Sequence, residues 1–278
     1  MPRKPLVLHL ERDDQIYHAL NLIPMTPGQI CKLSQIWDQP FNDVKRARER
    51  LATLASAGRL RSFRYATRSR GEQSYYVMTR SRYHLLHGRD AQPPRNAFRE
   101  LSFTRQQHTR ILADILVHAL ILAHRDGAQL QRFRRENEKR YQTAAGDFQD
   151  DGYLELLSPG GRPHVFHLEC DRSTRPLSNQ WQQNSLQSMV QKYEALADES
   201  EHRFRVLFIT TGSPQHVRDF LQIASKEARY PGRMLCYGIT LEGFLQLRSL
   251  REKHLLNHHL QMSALISEKG SLVIPKSI

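Results

Sequence analysis

Asp151-Gly152-Tyr153-Leu154-Glu155-Leu156-Leu157, the turn Ser158-Pro159-Gly160-Gly161, and His164-Val165-Phe166-His167-Leu168-Glu169-Cys170-Asp171 decide how this chain is read. Two apolar-rich runs on either side of a Pro-Gly-Gly turn predict an antiparallel hairpin. Residues two apart on a strand share a face, so Glu169 and Asp171 point the same way. Across the hairpin the start of the first strand lies beside the end of the second, which brings Asp151 to them. Three carboxylates at a strand edge make a hard oxygen site suited to Mg²⁺ or Mn²⁺. Such an ion polarises a phosphodiester and helps to generate a hydroxide nucleophile.

Outward from the hairpin the pattern is that of an α/β domain with a mixed sheet, assigned to residues 98–278. Upstream, Gln106 to His124 is a strongly apolar helical segment (Ile111, Leu112, Ile115, Leu116, Leu120, Ile121, Leu122), expected to pack centrally or to form a homodimer contact. The charged stretch Gln129 to Arg140 is read as its helical continuation and carries Glu136. Downstream, a helix is expected from about Asn179 to Ala197, apolar at Leu186, Met189, Val190, Tyr193 and Leu196. Arg205 to Thr210 reads as a buried strand, Ser213-Pro214 opens a helix to about Ala228, and Met234 to Leu241 is a last strand. The final ~25 residues are weakly patterned and receive no role.

The polar stretch His87 to Asn96, with glycine and a proline pair, marks a boundary with a first domain over residues 1–90. Asp13 to Asn21 is a first helix. Thr26 caps a second that has Pro27 at its first position, and Asn42 caps a third carrying Val44, Ala47, Leu51, Leu54 and Ala55. Gly58 ends that helix, and Leu60–Tyr65 and Gln73–Met78 form a hairpin around Thr67-Arg68-Ser69-Arg70-Gly71. Three helices and a hairpin are the layout of a winged helix-turn-helix. Between Asn42 and Arg89 stand twelve basic residues, opposed only by Asp43, Glu49 and Glu72. Lys45, Arg46, Arg48 and Arg50 on the third helix, Arg64 on the hairpin, and Arg68 and Arg70 at its tip are the candidate DNA contacts.

The formal net charge of +13 in 278 residues favours a polyanionic partner, double-stranded DNA, over a membrane. No apolar run reaches the ~18 residues a bilayer span needs, and no signal-peptide core follows the N-terminus. Cys31, Cys170 and Cys236 are far apart and form no zinc or disulfide pattern. Reduced thiols and a cytoplasmic location are expected.

The order Asp151-Gly152, then Glu169 on the next strand, resembles the PD-(D/E)XK nuclease core. With His167-Leu168-Glu169-Cys170-Asp171-Arg172-Ser173-Thr174, and Lys192-Tyr193 on the following helix, the chain is more closely similar to the replication-relaxation family of plasmid and mobile-element proteins. The Ala57-Gly58-Arg59-Leu60 turn of the first domain shares in the likeness. The resemblance implies a winged helix followed by a PD-(D/E)XK-like domain, with Asp151, Glu169 and Asp171 holding the metal and Glu136 as an accessory acid. Two departures stand out. Asp150 occupies the place of the usual proline, and Asp171 that of the motif lysine. A carboxylate cannot supply the lysine's positive charge, so Lys192 is the expected substitute and Arg172 a weaker one.

Two functions are thus open. In the first, the winged helix places the chain on duplex DNA and the second domain is a metal-dependent endonuclease or nickase acting in replication or transfer, with Asp151, Glu169, Asp171 and Lys192 catalytic. In the second, the protein is a non-catalytic accessory or regulatory DNA binder that works with other replication or transfer proteins. A ligand-sensing regulator is disfavoured, because no phosphate-binding glycine loop is present.

Overall fold

Residues 10–65, 74–94, 97–136, 138–172, 185–230 and 232–266 are described by a computed structural model. The chain is α/β and divides into two compact units, Met1–Ile121 and Leu122–Ile278. The division falls inside a long helix, and the 87–96 stretch lies within the first unit.

The first unit contains α1 (Leu10–Leu22), α2 (Pro27–Leu33) with a 3-10 turn at Ser34–Ile36, and α3 (Val44–Ser56). A hairpin of β1 (Leu60–Arg64) and β2 (Ser74–Met78) follows, then α4 (Arg80–His87) and most of α5 (Phe103–Arg125). The helix order and the hairpin are those expected. At the start of α2, Thr26 Oγ1 accepts from Gln29 N at 3.2 Å and Gln29 Oε1 accepts from Thr26 N at 2.8 Å. This reciprocal capping box satisfies two otherwise orphaned donors. The other end of the Gln29 amide donates to Asp114 Oδ1 at 2.8 Å and to the Arg110 carbonyl at 3.1 Å, both on α5.

The cap of α3 is Asp43, one residue beyond the expected Asn42: its carboxylate accepts from Arg46 N at 2.8 Å. Both residue types cap well, and the charge of aspartate adds an attraction to the helix N-terminus. Ala47, Leu51 and Leu54 are buried on the inner face of α3. Gly58 then takes a φ of +72°, the left-handed conformation that closes the helix and that other residues adopt only with strain. Residues 66–73 at the hairpin tip, with Arg68 and Arg70, lie outside the described residues.

In the second unit seven strands form one sheet in the order β3-β4-β5-β6-β7-β8-β9. They are β3 (Gln129–Arg135), β4 (Gly152–Leu157), β5 (Pro163–Asp171), β6 (Arg205–Thr210), β7 (Cys236–Thr240), β8 (Leu255–Asn257) and β9 (Met262–Ser263). Strands β5, β6 and β7 are parallel, joined through α6 (Leu186–Glu199) and α7 (Pro214–Glu227), and antiparallel strands flank them on both sides. The sheet is therefore mixed, as expected. A short α8 (Leu241–Gln246) follows β7. Of the apolar residues of α5, Leu112, Ile115, Leu116 and Leu122 are buried, Ile111, Leu120 and Ile121 are half-buried, and Phe103 is exposed.

Two expectations are corrected here. The 129–140 stretch does not continue the helix: Gly127, with φ +70°, ends α5, and Gln129–Arg135 becomes an edge strand paired with β4. Helix α6 begins only at Leu186, capped by the Ser185 hydroxyl, and 179–184 lie outside the described residues.

Register fixes which side chains share a face. His167, Glu169 and Asp171 pair with Val206, Phe208 and Thr210, and the last three align with Cys236, Gly238 and Thr240. This face packs under α6 and α7 in a core built from Tyr193, Val206, Phe208, Val217, Phe220 and Leu221. Phe208 stacks on Phe220 with ring centroids 4.1 Å apart. No helix among the described residues is long and apolar enough to cross a membrane.

Candidate functional site

Asp151, Glu169 and Asp171 all stand at one end of the sheet, where the parallel strands β5, β6 and β7 finish. In open α/β sheets this is the end at which ligands bind, because the chain departs into helices and leaves a crevice. Asp151 is fixed to the backbone of β5 from both sides: its N–H donates to the Leu168 carbonyl at 3.1 Å, and its Oδ2 accepts from Cys170 N at 2.8 Å. Glu169, 2% exposed, accepts at Oε1 from the Tyr193 hydroxyl of α6 at 2.7 Å. Burial, followed by the charges of Glu169, Asp150 and Asp151, holds the Tyr193 phenol well above its ordinary range. Of these carboxylates, Glu169 is the one that meets the hydroxyl directly, and the other two act on it through their charge. Asp171 is also buried but turns toward α7, where its Oδ2 lies 2.9 Å from His216 Nε2 and 3.3 Å from Thr210 Oγ1.

Behind this edge is a buried polar chain that the sequence reading did not identify. Arg134 Nη2 donates to Tyr141 Oη at 2.7 Å, Tyr141 Oη donates to Asp150 Oδ2 at 3.2 Å, and His167 Nδ1 lies 2.8 Å from the same oxygen. Burial, and then the Asp150 charge, raise the Tyr141 phenol. The His167 ring is enclosed by Phe204 at 4.5 Å, Tyr141 at 5.3 Å and Tyr193 at 5.5 Å. Asp150, read from the sequence as a mild replacement of proline, is thus a buried acceptor with two donors. The available signal was its partner: His167 is two residues before Glu169 and so shares its face.

Of the remaining expected residues, Lys192 is half-buried on α6 beside Tyr193, with its Cε 3.8 Å from where a Cβ on Gly146 would stand. Its stem therefore runs along the 143–146 turn. Glu136 follows the end of β3 in a turn rather than on a helix. Because Arg135 pairs with Gly152, this turn lies at the same end of the sheet as Asp151. Among the described residues no three His, Cys, Asp or Glu side chains are grouped so as to hold a metal ion. The carboxylates of the motif instead meet protein donors.

In the first unit, Lys45, Arg46 and Arg48 are exposed on the outer face of α3, opposite the buried Ala47, Leu51 and Leu54. Among the described residues Arg46 pairs with the exposed Glu49, at 3.2 Å, a contact of small energetic weight. Arg50 differs from them. Its Nε donates to Asp13 Oδ1 at 2.8 Å and its Nη2 to Oδ2 of the same buried carboxylate, a bidentate clamp between α3 and α1. Arg64 is exposed at the end of β1.

A family model described as replication-relaxation matches residues 28–207, from α2 to the middle of β6. No curated protein and no solved structure matches the chain.

Proposed function

Because the chain belongs to the replication-relaxation family, we propose that it is a duplex-DNA-binding protein serving plasmid or mobile-element replication or transfer, its first unit a winged helix-turn-helix. Family membership points to the replication or relaxation context, and the chemistry of the chain supports the partner. The observation that carries the reading is α3, with Lys45, Arg46 and Arg48 exposed on the face opposite its buried residues. The first unit holds twenty Lys and Arg against ten Asp and Glu, whereas the second holds twenty-one against eighteen. Most of the excess charge therefore lies in the part that carries this helix, as an electrostatic contact with phosphates requires.

For the second unit we favour a nuclease-like fold that does not cut. Asp171 replaces the motif lysine, and Glu169, Asp171 and Asp151 are each held by a protein donor. The test is fluorescence anisotropy on labelled duplex across a salt series, comparing wild type with the Lys45→Ala/Arg46→Ala/Arg48→Ala variant. Binding of wild type should weaken steeply with salt, and the variant's log–log slope should flatten by about 0.9 for each phosphate it no longer neutralises. An unchanged slope in the variant would remove α3 from the interface.

A second reading, a divalent-metal-dependent endonuclease or nickase using Mg²⁺ or Mn²⁺, is supported by the placement of Asp151 beside Glu169 at the end of β5, where its carboxylate accepts from Cys170 N. Supercoiled plasmid incubated with either ion decides between the two. Nicking by wild type that is abolished in both Asp151→Asn and Glu169→Ala would establish cleavage, and intact plasmid with undiminished DNA binding would establish the accessory role.

A further inference from the structure

Away from α3, the first unit contains a cavity of about 570 Å³ whose walls are Arg61 of β1, Arg80 at the first position of α4, Arg99, Pro93, Pro94 and Phe98. Its lining includes three guanidinium groups and no carboxylate. Among the described lining residues nothing offsets these positive charges, and a concavity of one sign favours an anion. Arg61 is held in place before any ligand arrives: its Nη1 donates to the Phe98 carbonyl at 2.8 Å, and its Cζ lies 4.9 Å from the centre of the Phe63 ring. A guanidinium has five N–H donors, so donors remain for a ligand. Arg80 and Arg99 are exposed and form no hydrogen bond or ion pair with the described residues. The N-terminal end of α4, at Arg80, adds partial positive charge to the same wall.

We infer that this pocket binds a phosphate group, and that the phosphate is a backbone phosphodiester of the DNA that α3 engages. Planar guanidinium forks match phosphate oxygens in pairs, and three around one concavity accept a tetrahedral anion. The proline rings contribute no N–H and form a rigid apolar rim suited to the sugar beside the phosphate. The contact would fix the position of the protein on the duplex without reading sequence.

This inference rests on the DNA-binding reading, and the experiment separates the two. The variant is Arg80→Gln/Arg99→Gln, which leaves the Arg61–Phe98 bond in place; an unchanged circular dichroism melt confirms that it folds. Duplex binding is measured across salt beside the α3 triple variant, and inorganic phosphate is titrated against the thermal melt of wild type and of the pocket variant. Removing one phosphate from the interface should flatten the salt slope by about 0.9 and weaken binding about eightfold at 0.1 M salt, equally for all duplex sequences. Inorganic phosphate should raise the melting temperature of wild type and not of the pocket variant. Normal DNA binding by the pocket variant, with the α3 variant impaired, overturns this inference and leaves the proposed function standing. Protection by phosphate with an unchanged DNA slope assigns the pocket to a free phosphorylated compound and overturns the DNA assignment. Failure of wild type to bind duplex at all overturns both.

Discussion

Nδ1 of His167 lies 2.8 Å from Oδ2 of Asp150, and both side chains are almost wholly shielded from water. The same oxygen accepts the Tyr141 hydroxyl, so Asp150 is the centre of a buried network although it precedes β4 in a loop. Asp150→Ala leaves two buried donors without their acceptor and should cost about 3–5 kcal/mol of stability in urea denaturation. The double variant Asp150→Ala/His167→Phe should recover part of that stability, because it removes one stranded group as well. A single variant within about 0.5 kcal/mol of wild type would show that the pair does not stabilise the fold.

Arg46 and Arg50 lie four residues apart on α3 and should respond oppositely to substitution. Arg46 is exposed and, among the described residues, paired with exposed Glu49, so Arg46→Ala should weaken duplex binding and leave the melting temperature unchanged. Arg50→Ala strands the buried Asp13 carboxylate and should destabilise by about 3–5 kcal/mol. Melting curves and anisotropy on the two purified variants check both halves.

Gly238 makes a steric prediction. A Cβ at this position on β7 would stand 2.7 Å from Cγ1 of Val217 on α7, closer than two carbons can approach. Gly238→Ala should therefore cost about 1–3 kcal/mol by forcing α7 away from the sheet. Adding Val217→Ala, which removes the clashing methyl, should return much of it; thermal denaturation of the three proteins reads the outcome.

His258, 3% exposed, is pushed down to about 4, chiefly by burial and then by the neighbouring His259 charge. In the unfolded chain a histidine binds its proton near pH 6.5. Between about 6.5 and about 4 the unfolded state thus holds the extra proton, and stability must fall as the pH is lowered through that window. Urea unfolding at a series of pH values should show this slope in wild type and a shallower one in His258→Leu.

The β4–β5 hairpin, the mixed sheet and the shared face of Glu169 and Asp171 were legible because they follow from turn chemistry, the order of strands and helices, and strand alternation. Strand β3 was not. A bulge between Leu130 and Arg132 lets Leu130 and Phe133 face the same side, opposite Leu156 and Leu154 of β4. Apolar residues three apart on a strand imitate a helix, and the charged residues between them strengthen the imitation. Strands β8 and β9, three and two residues long, are too short to show a period. At the site, the carboxylate positions were readable, but their partners were not. Tyr193 lies 24 residues from Glu169 and His216 lies 45 from Asp171, distances closed only by helices crossing the sheet. The partner of Arg50 was hidden for the same reason: nothing local shows that its face of α3 meets Asp13 of α1.

The side-chain amide of Gln29 is engaged at both ends, its oxygen with Thr26 at the mouth of α2 and its nitrogen with Asp114 and the Arg110 carbonyl on α5. A primary amide has a donor end and an acceptor end, and here its orientation matters. It works as a directional connector that links the opening of one helix to the flank of another only when it points one way. Glutamate, identical in shape, would set a carboxylate oxygen against Asp114, which burial already makes reluctant to ionise. Size therefore counts for little at this position: the residue must be polar and neutral, with its two ends unlike.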